Sequence, residues 1–307
     1  MNVLITGSEG FIGTHLKEKL ISEGHSVIGI DNLSHPCRFR KGEFIKEDVR
    51  NISKHYNIIQ NCDYIVHLAA QINVEKSLID PEDTVQVNTI GTLGVLEIGR
   101  KLDIPVIFAS STEIYGDKKS NGKMDESHVM HPKSPYAAAK MGADGLCKAY
   151  HYSYGLPVVI VRNFNTFGKY QSDDKWGAVI AKFADRLAAD KPPVIFGDGT
   201  QKRDFMDYRD AINFYMLMLR KGDHWGKEFN VGLGKNISIN ELATKMIRLF
   251  GKDSMKPVHT EPRPGEVHEF LCDNTKALEL GWKPNTDFDG LLKEYVDWKL
   301  KYDTKHE

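Results

Sequence analysis

The first half of the chain alternates short apolar runs with segments whose apolar positions recur at helical spacing. NVLIT (2–6) reads as a strand, and a helical pattern follows over 11–23. SVIGID (26–31) is the next strand. DYIVHLAA (63–70) precedes a long helical pattern near 84–102. PVIFASS (105–111) leads through a loop to a helix from about Ser134 to Tyr154, and LPVVIVRNF (156–164) closes the series. Strands that are apolar throughout, separated by helices, predict a parallel sheet covered on both faces.

After Asn165 the rhythm changes. A helix is expected over 178–189, then VIFGDG (194–199) as strand and turn. A helical stretch over 209–221 and the strand EFNVG (228–232) are expected to return to the first domain. Segments 238–250, 275–280 and 287–302 read as helices. The division implied is an α/β sheet domain of residues 1–165 plus about 204–232. A smaller C-terminal lobe would take about 166–203 and 233–307.

Composition narrows the function classes. The 307 residues suffice for a large core, and the formal net charge of −1 gives no bulk attraction to nucleic acid or anionic lipid. Cys37, Cys62, Cys147 and Cys272 form no CxxC and read as reduced thiols in a cytoplasmic protein. Twelve histidines show no HExxH or His/Cys pairing, so no metal site is expected. Strand-like residues begin at Asn2, where a signal peptide would need a charged and then apolar start, and no apolar run is long enough to span a bilayer.

The chemistry starts at the first strand–helix turn. Gly7, Gly10 and Gly13 are spaced GxxGxxG, with Phe11 and Ile12 between the last two. Glycines so placed allow a tight turn, close approach of backbone to a pyrophosphate and close helix–strand packing. The helix N-terminus adds backbone N–H groups and the positive end of its dipole. A plain strand–helix turn is the alternative. Asp31, followed by Asn32, ends the next strand at about the 20-residue spacing of a ribose-binding acid. A carboxylate there accepts from ribose hydroxyls and repels a 2′-phosphate, which favours NAD over NADP. Asp48-Val49 is a candidate for the adenine edge, or Asp48 simply faces solvent.

Two further constellations carry reactive groups. SSTEIYG (110–116) sets Ser111, Thr112 and Glu113 where an apolar strand meets solvent. In SPYAAAK (134–140), Tyr136 and Lys140 are i, i+4 and share one helix face. An ammonium beside a phenol favours the phenolate, so this tyrosine is expected to have a lowered pKa and to accept a proton from a sugar hydroxyl.

With these motifs in order, the chain resembles the extended short-chain dehydrogenase/reductase family, specifically its NAD-dependent nucleotide-sugar epimerases and dehydratases. The resemblance extends through HLAAQINV (67–74), VNTIGT (87–92), RNFNTFG (162–168), GDGTQKRDF (197–205) and RPGEV (263–267). It implies a Rossmann-type doubly wound sheet with a substrate-binding lobe. It further implies Ser111 as the hydroxyl bonded to the sugar 4-OH, Tyr136 as base and Lys140 as its partner on the nicotinamide ribose. Leu68, Ala69 and Ala70 would line the cofactor channel and Asn88 would sit near the cofactor. Asn165, Arg203 and Arg263 would contact the nucleotide sugar, the arginines at its diphosphate. A surface ion pair is the alternative for either arginine. Val194 and Phe196 serve either core packing or nucleobase contact. Two segments depart from the family pattern: Lys169-Tyr170-Gln171 lacks the usual proline, and Met206-Asp207-Tyr208 follows RDF.

The resemblance implies oxidation at C4 of a nucleotide-linked hexose, with later return of the hydride. Overall size and the AAQINV…FASS region favour a UDP-hexose 4-epimerase, which is the first expectation, with a dehydratase as the alternative. Glu113 favours a 4,6- or 5,6-dehydratase, because the resemblance implies that a glutamate two residues before Tyr115 is the C5 base of the family's dehydratases; a carboxylate at the cleft rim with no proton-transfer role is the alternative. A nucleotide-uronate decarboxylase, a net NAD-linked reductase and a non-catalytic NAD-binding scaffold rank lower. A homodimer through a four-helix bundle is also implied, although the same apolar residues could serve the monomer core.

Overall fold

The computed structural model describes residues 1–34, 44–118, 122–171, 178–220 and 222–303. Cys37 and Lys221 lie outside the described residues. Seven strands form the central sheet: β1 (Asn2–Thr6), β2 (Ser26–Asp31), β3 (Phe44–Lys46), β4 (Tyr64–His67), β5 (Val106–Ser111), β6 (Val158–Asn163) and β7 (Glu228–Val231). Their spatial order is β7-β6-β5-β4-β1-β2-β3, and every neighbouring pair is parallel. The order reverses between β1 and β4. In a doubly wound sheet that reversal opens a crevice at the carboxyl ends of the strands, where ligands bind.

Alternation along each strand divides the core. Val3 and Ile5 of β1 join Val66, Ile107 and Val159 in one fully buried cluster. Leu4 joins Ile65, Phe108 and Ile160 in another, on the opposite face. Helix α1 (Phe11–Ser22) covers the first face through Leu16 and Leu20 and packs against the helix Tyr208–Met218. Helices α2 (Gly91–Leu102) and α3 (Pro135–Tyr154) cover the second, through Val95, Leu96, Ala143 and Cys147. Burial on both faces is why these strands are apolar at every position.

A third cluster unites the later helices. Phe183 and Leu187 of Val179–Ala188, Leu242 and Met246 of Ile239–Leu249, and Leu292 and Val296 of Phe288–Asp303 pack together with Phe167 and Phe205. Ser238 and Glu241 form a reciprocal capping box at the start of Ile239–Leu249. Short parallel pairs, Asn165–Phe167 with Phe205–Asp207 and Val194–Phe196 with Val258–Thr260, tie this region together.

Most elements begin and end within one or two residues of the sequence expectation. The stretch near 84–102 differs. It comprises a short α-helix Pro81–Val85, a π-helical turn Gln86–Ile90, and α2. The helix Val74–Ile79 and the antiparallel pair Lys202–Arg203 with Ile237–Ser238 were not foreseen. Strand β4 ends at His67, three residues before the apolar run does, and Leu68, Ala69 and Ala70 form the wall of the crevice.

Candidate active site

The crevice is a cleft of about 530 Å³ running from the glycine turn to the C-terminal segments. At the turn, Gly7 has φ +73°, a region that disfavours side chains, and its N–H donates to Ile30 O at 2.8 Å. A Cβ on Gly13 would lie 2.0 Å from Gly7 O, so helix and turn touch there through backbone alone. Gly10 is the N-cap residue of α1, and no side chain caps that helix. The first N–H groups of α1 therefore stay available at the cleft wall formed by Gly10, Phe11, Ile12 and Gly13.

Asp31 lies across from this turn. Its Oδ2 accepts from Glu9 N at 2.9 Å and its Oδ1 from Leu33 N at 2.7 Å, which fixes the carboxylate at the cleft edge beside Asn32. Asp48 faces a different partner. Arg50 binds both its oxygens at 2.8 Å, and that hydrogen bonding holds its pKa down at about 2. Val49 and Arg50 line the cleft and Asp48 does not.

The wall at 68–73 is fastened from behind. Gln71 N donates to Asn88 Oδ1 and Asn88 Nδ2 donates to Gln71 O, both at 2.8 Å. Asn88 sits in the π-helical turn, fully buried, and acts on the wall without lining the cleft. A second chain of bonds runs through His67. Thr92 Oγ1 donates to Asn88 O at 2.6 Å, so it accepts from His67 Nε2 at 3.0 Å. His67 Nδ1 then accepts from the Thr6 hydroxyl at 2.7 Å, and Thr6 Oγ1 accepts from Ala69 N at 3.3 Å. Burial drives the His67 pKa down to about 3, so the ring is neutral as this network requires.

Strand β5 and helix α3 bring the reactive side chains together. Ser134 caps α3 by accepting from Ala137 N, and Pro135 opens its first turn, which starts the helix just before Tyr136. The Ser111 hydroxyl lies near enough to the Tyr136 phenol to favour its ionised form. Burial outweighs that influence, and the Glu113 charge acts with burial, pushing the Tyr136 pKa up to about 12. The lowered tyrosine pKa expected from an adjacent lysine is thus not found in the protein alone. Lys140 Nζ donates to Ala109 O at 2.8 Å, and burial brings its pKa down to about 8. Tyr136, Lys140 and Ser111 are each less than a tenth exposed.

Glu113 lines the cleft directly. Burial raises its pKa, the nearby Arg203 lowers it in part, and Glu266 raises it further. Thr112 is buried with its hydroxyl unpartnered among the described residues. Asn165 lines the cleft with its Oδ1 also unpartnered there. Arg203 reaches Glu266 at 3.3 Å, and Arg263 pairs with Glu75 at 2.8 Å. All four of these residues line the cleft, as do Val194 and Phe196.

The chain is similar to known proteins along nearly its whole length. The family described as GDP-mannose 4,6 dehydratase matches residues 4–295. A UDP-glucose 4-epimerase of Mycolicibacterium smegmatis is 32% identical, over 95% of this chain and 97% of its own. The solved UDP-glucose 4-epimerase of Thermotoga maritima, with UDP-glucose, superposes with a TM-score of 0.93 at 32% identity, covering 100% of both chains. A dTDP-glucose 4,6-dehydratase of Streptomyces venezuelae, solved with NAD, gives a TM-score of 0.91 at 28% identity, over 99% of this chain and 98% of its own. The chain belongs to the extended short-chain dehydrogenase/reductase family of nucleotide-sugar epimerases and dehydratases.

Several parts of this epimerase/dehydratase site were not singled out in the sequence. Gln71 and Glu266 lay inside quoted motifs, but their hydrogen-bond and charge partners come from distant segments. Asp204 of the RDF run sits beneath Arg203 and accepts from Leu233 N, Gly234 N and Cys272 N. Asp144, one turn after Lys140, holds the fully buried Arg162 through two 3.0 Å bonds and accepts from Ser110 at 3.0 Å. Arg162 also donates to Tyr115 Oη, which donates to Asn230 Oδ1. The i, i+4 step from Lys140 to Asp144 was the readable signal for this network.

Proposed function

We propose that this chain is a cytoplasmic NAD-dependent nucleotide-sugar 4,6-dehydratase that forms a 4-keto-hexose intermediate from a UDP-linked hexose. The observation that carries the reading is Glu113, a cleft-lining carboxyl with a raised pKa close enough to Tyr136 to perturb its phenol. A 4-epimerase needs one proton-transfer group at O4. A dehydratase needs a second at C5, and a carboxylate of raised pKa is the stronger base for that task.

The residues present suit NAD. The uncapped α1 N-terminus suits a pyrophosphate, and the Asp31 carboxylate suits a ribose diol while opposing a 2′-phosphate. When bound, NAD would take up hydride from C4 and supply it again at the close of the cycle. Its positive ring, together with Lys140, would favour the Tyr136 phenolate that burial alone opposes.

In this reading Tyr136 accepts the O4 proton as C4 becomes a ketone, with Ser111 holding the oxygen. Glu113 removes the C5 proton, now acidified by the C4 ketone. The C6–O bond breaks and the hydroxyl leaves as water, taking its proton from Glu113. With the hydride that NAD would supply back at C6, the proton Tyr136 took from O4 would return to C5 by way of Glu113, giving the 4-keto-6-deoxy sugar. Asn165, Arg203 and Arg263 would hold the nucleotide diphosphate and sugar, with the C-terminal lobe supplying the arginines.

The second reading is a UDP-hexose 4-epimerase, supported by the full-length likeness to the Thermotoga maritima enzyme and by Thr112, a hydroxyl where many dehydratases carry an acid. The two differ in product. NMR of the sugar formed from UDP-, dTDP-, GDP- and CDP-hexoses supports a dehydratase if a 6-deoxy-4-keto product accumulates. A C4 isomer with C6 intact would replace it with the epimerase.

A homodimer is part of the proposal. Ile79 is 73% exposed, with Val85 and Ile90 also exposed along the segment leading into α2. Tyr152 (79%) and Tyr154 are exposed on α3. These apolar surfaces support a four-helix bundle between copies.

A further inference from the structure

Arg263 is held on two sides. Its guanidinium carbon lies 3.8 Å from the centroid of the Phe196 ring, within stacking range, and its Nε lies 2.8 Å from Glu75 Oε1. Gly265, at φ +70°, packs its backbone against Lys133 O, where a Cβ would come within 2.6 Å, so the turn that carries Arg263 is seated closely. The contact with Glu75 is a close charge contact at the Nε edge without hydrogen-bond geometry. Among the described residues no hydrogen bond engages the two terminal nitrogens.

Glu75 is itself well placed by the backbone. It lies in the first turn of Val74–Ile79, whose N-cap Asn73 accepts from Lys76 N at 2.7 Å. The same segment is tied to Gln71 and so to Asn88 in the π-helical turn. The Glu75–Arg263 ion pair therefore joins this hydrogen-bonded segment to the 263–267 segment by charge contact.

We infer that Glu75 is a positioning residue that aligns Arg263, leaving the paired terminal N–H groups of its guanidinium to grip the diphosphate of the nucleotide. A guanidinium recognises phosphate bidentately through a planar edge, and fixing the plane in advance removes the ordering cost at binding. Phe196 sets the plane, and Glu75 sets the rotation within it. This rests on the nucleotide-sugar reading above.

The test is calorimetric titration of wild type, Glu75→Gln and Glu75→Asp with UDP, dTDP, GDP and CDP, and with the corresponding nucleosides. For whichever diphosphate the wild type binds, Glu75→Gln is expected to bind about tenfold more weakly, an effect confined to the diphosphate, since Glu75 acts through a phosphate-binding group. Affinity for the nucleoside should stay within about twofold, with Glu75→Asp intermediate. In turnover, KM for the nucleotide sugar should rise with kcat little changed. Equal or tighter diphosphate binding by Glu75→Gln would overturn the inference alone, because the carboxylate would then be a competitor for Arg263. Equal weakening for nucleoside and diphosphate would overturn it too, as a general structural effect. Binding of none of the four diphosphates by wild type would overturn the nucleotide-sugar reading and this inference with it.

Discussion

Lys140, one turn beyond Tyr136 on the same helix, donates its ammonium proton to the carbonyl of Ala109 at 2.8 Å. The lysine is thereby fixed on strand β5, and the Tyr136 phenol remains governed by burial, with a pKa of about 12. Ionisation near neutral pH must come from charge added at the site. A difference ultraviolet titration of cofactor-free wild type against Tyr136→Phe should show the extra phenol ionising far above neutrality, and loading with NAD should move that step down. An unchanged titration on loading would remove Tyr136 as the base. Turnover of Tyr136→Phe should fall by about 10²–10⁴-fold.

Glu113 links stability to pH. Its pKa is raised in the folded protein above the ordinary 4.5, chiefly by burial. The folded state then holds this proton more tightly than the unfolded state, so the carboxyl costs stability as pH rises above 4.5. Glu113→Gln should melt higher than wild type near about pH 8, with the difference vanishing below the ordinary carboxylate pKa. The same variant should lose dehydratase turnover. A melting difference independent of pH would show that Glu113 is not held in the raised state.

The glycines of the first turn should not be equivalent. A Cβ at Gly13 meets backbone at 2.0 Å, whereas one at Gly10 meets Gly7 O at 3.4 Å. Gly13→Ala should destabilise the fold and shed bound dinucleotide, while Gly10→Ala should fold normally and lose affinity only through its approach to the cofactor. Absorbance of bound cofactor in the purified variants and thermal melting separate the two effects. Equal melting temperatures for both would contradict the packing argument.

His67 should behave as a neutral linker. With its pKa lowered from 6.5 to about 3, it stays unprotonated while the unfolded chain takes up a proton below 6.5. Stability should accordingly fall as pH drops through 6.5 toward 3, and part of that slope should disappear in His67→Gln. The His67 ring resonance should stay unshifted in NMR spectra from about pH 8 to about pH 5. A titrating resonance there would break the assigned network through Thr6 and Thr92.

The central sheet was legible because burial on both faces leaves an unbroken apolar run, as in VVIV of β6, and because each run is long enough to stand out. Short strands such as Asn165–Phe167 carry no such pattern and are set by the neighbours they pair with. The glycine turn, Asp31 and the Tyr136–Lys140 step were readable since each depends on local spacing. The tyrosine's pKa was not, because it depends on how deeply α3 sinks against β5. Nor were the Gln71–Asn88 exchange and the Arg263–Glu75 pair, each formed by residues far apart in the chain. Glu113 was visible as a charge at a strand end, but its setting between Tyr136, Arg203 and Glu266 needed three other segments.

The ion pair of Arg162 and Asp144 bears on how the protein responds to salt. Both side chains are fully buried, and they join the helix of Tyr136 and Lys140 to strand β6. Mobile ions do not reach such a pair, whereas they do reach Arg263 and Glu75, each about a third exposed at the cleft. Rising ionic strength therefore works on the exposed ion pair at the cleft rim and leaves the alignment of the Tyr136–Lys140 helix untouched.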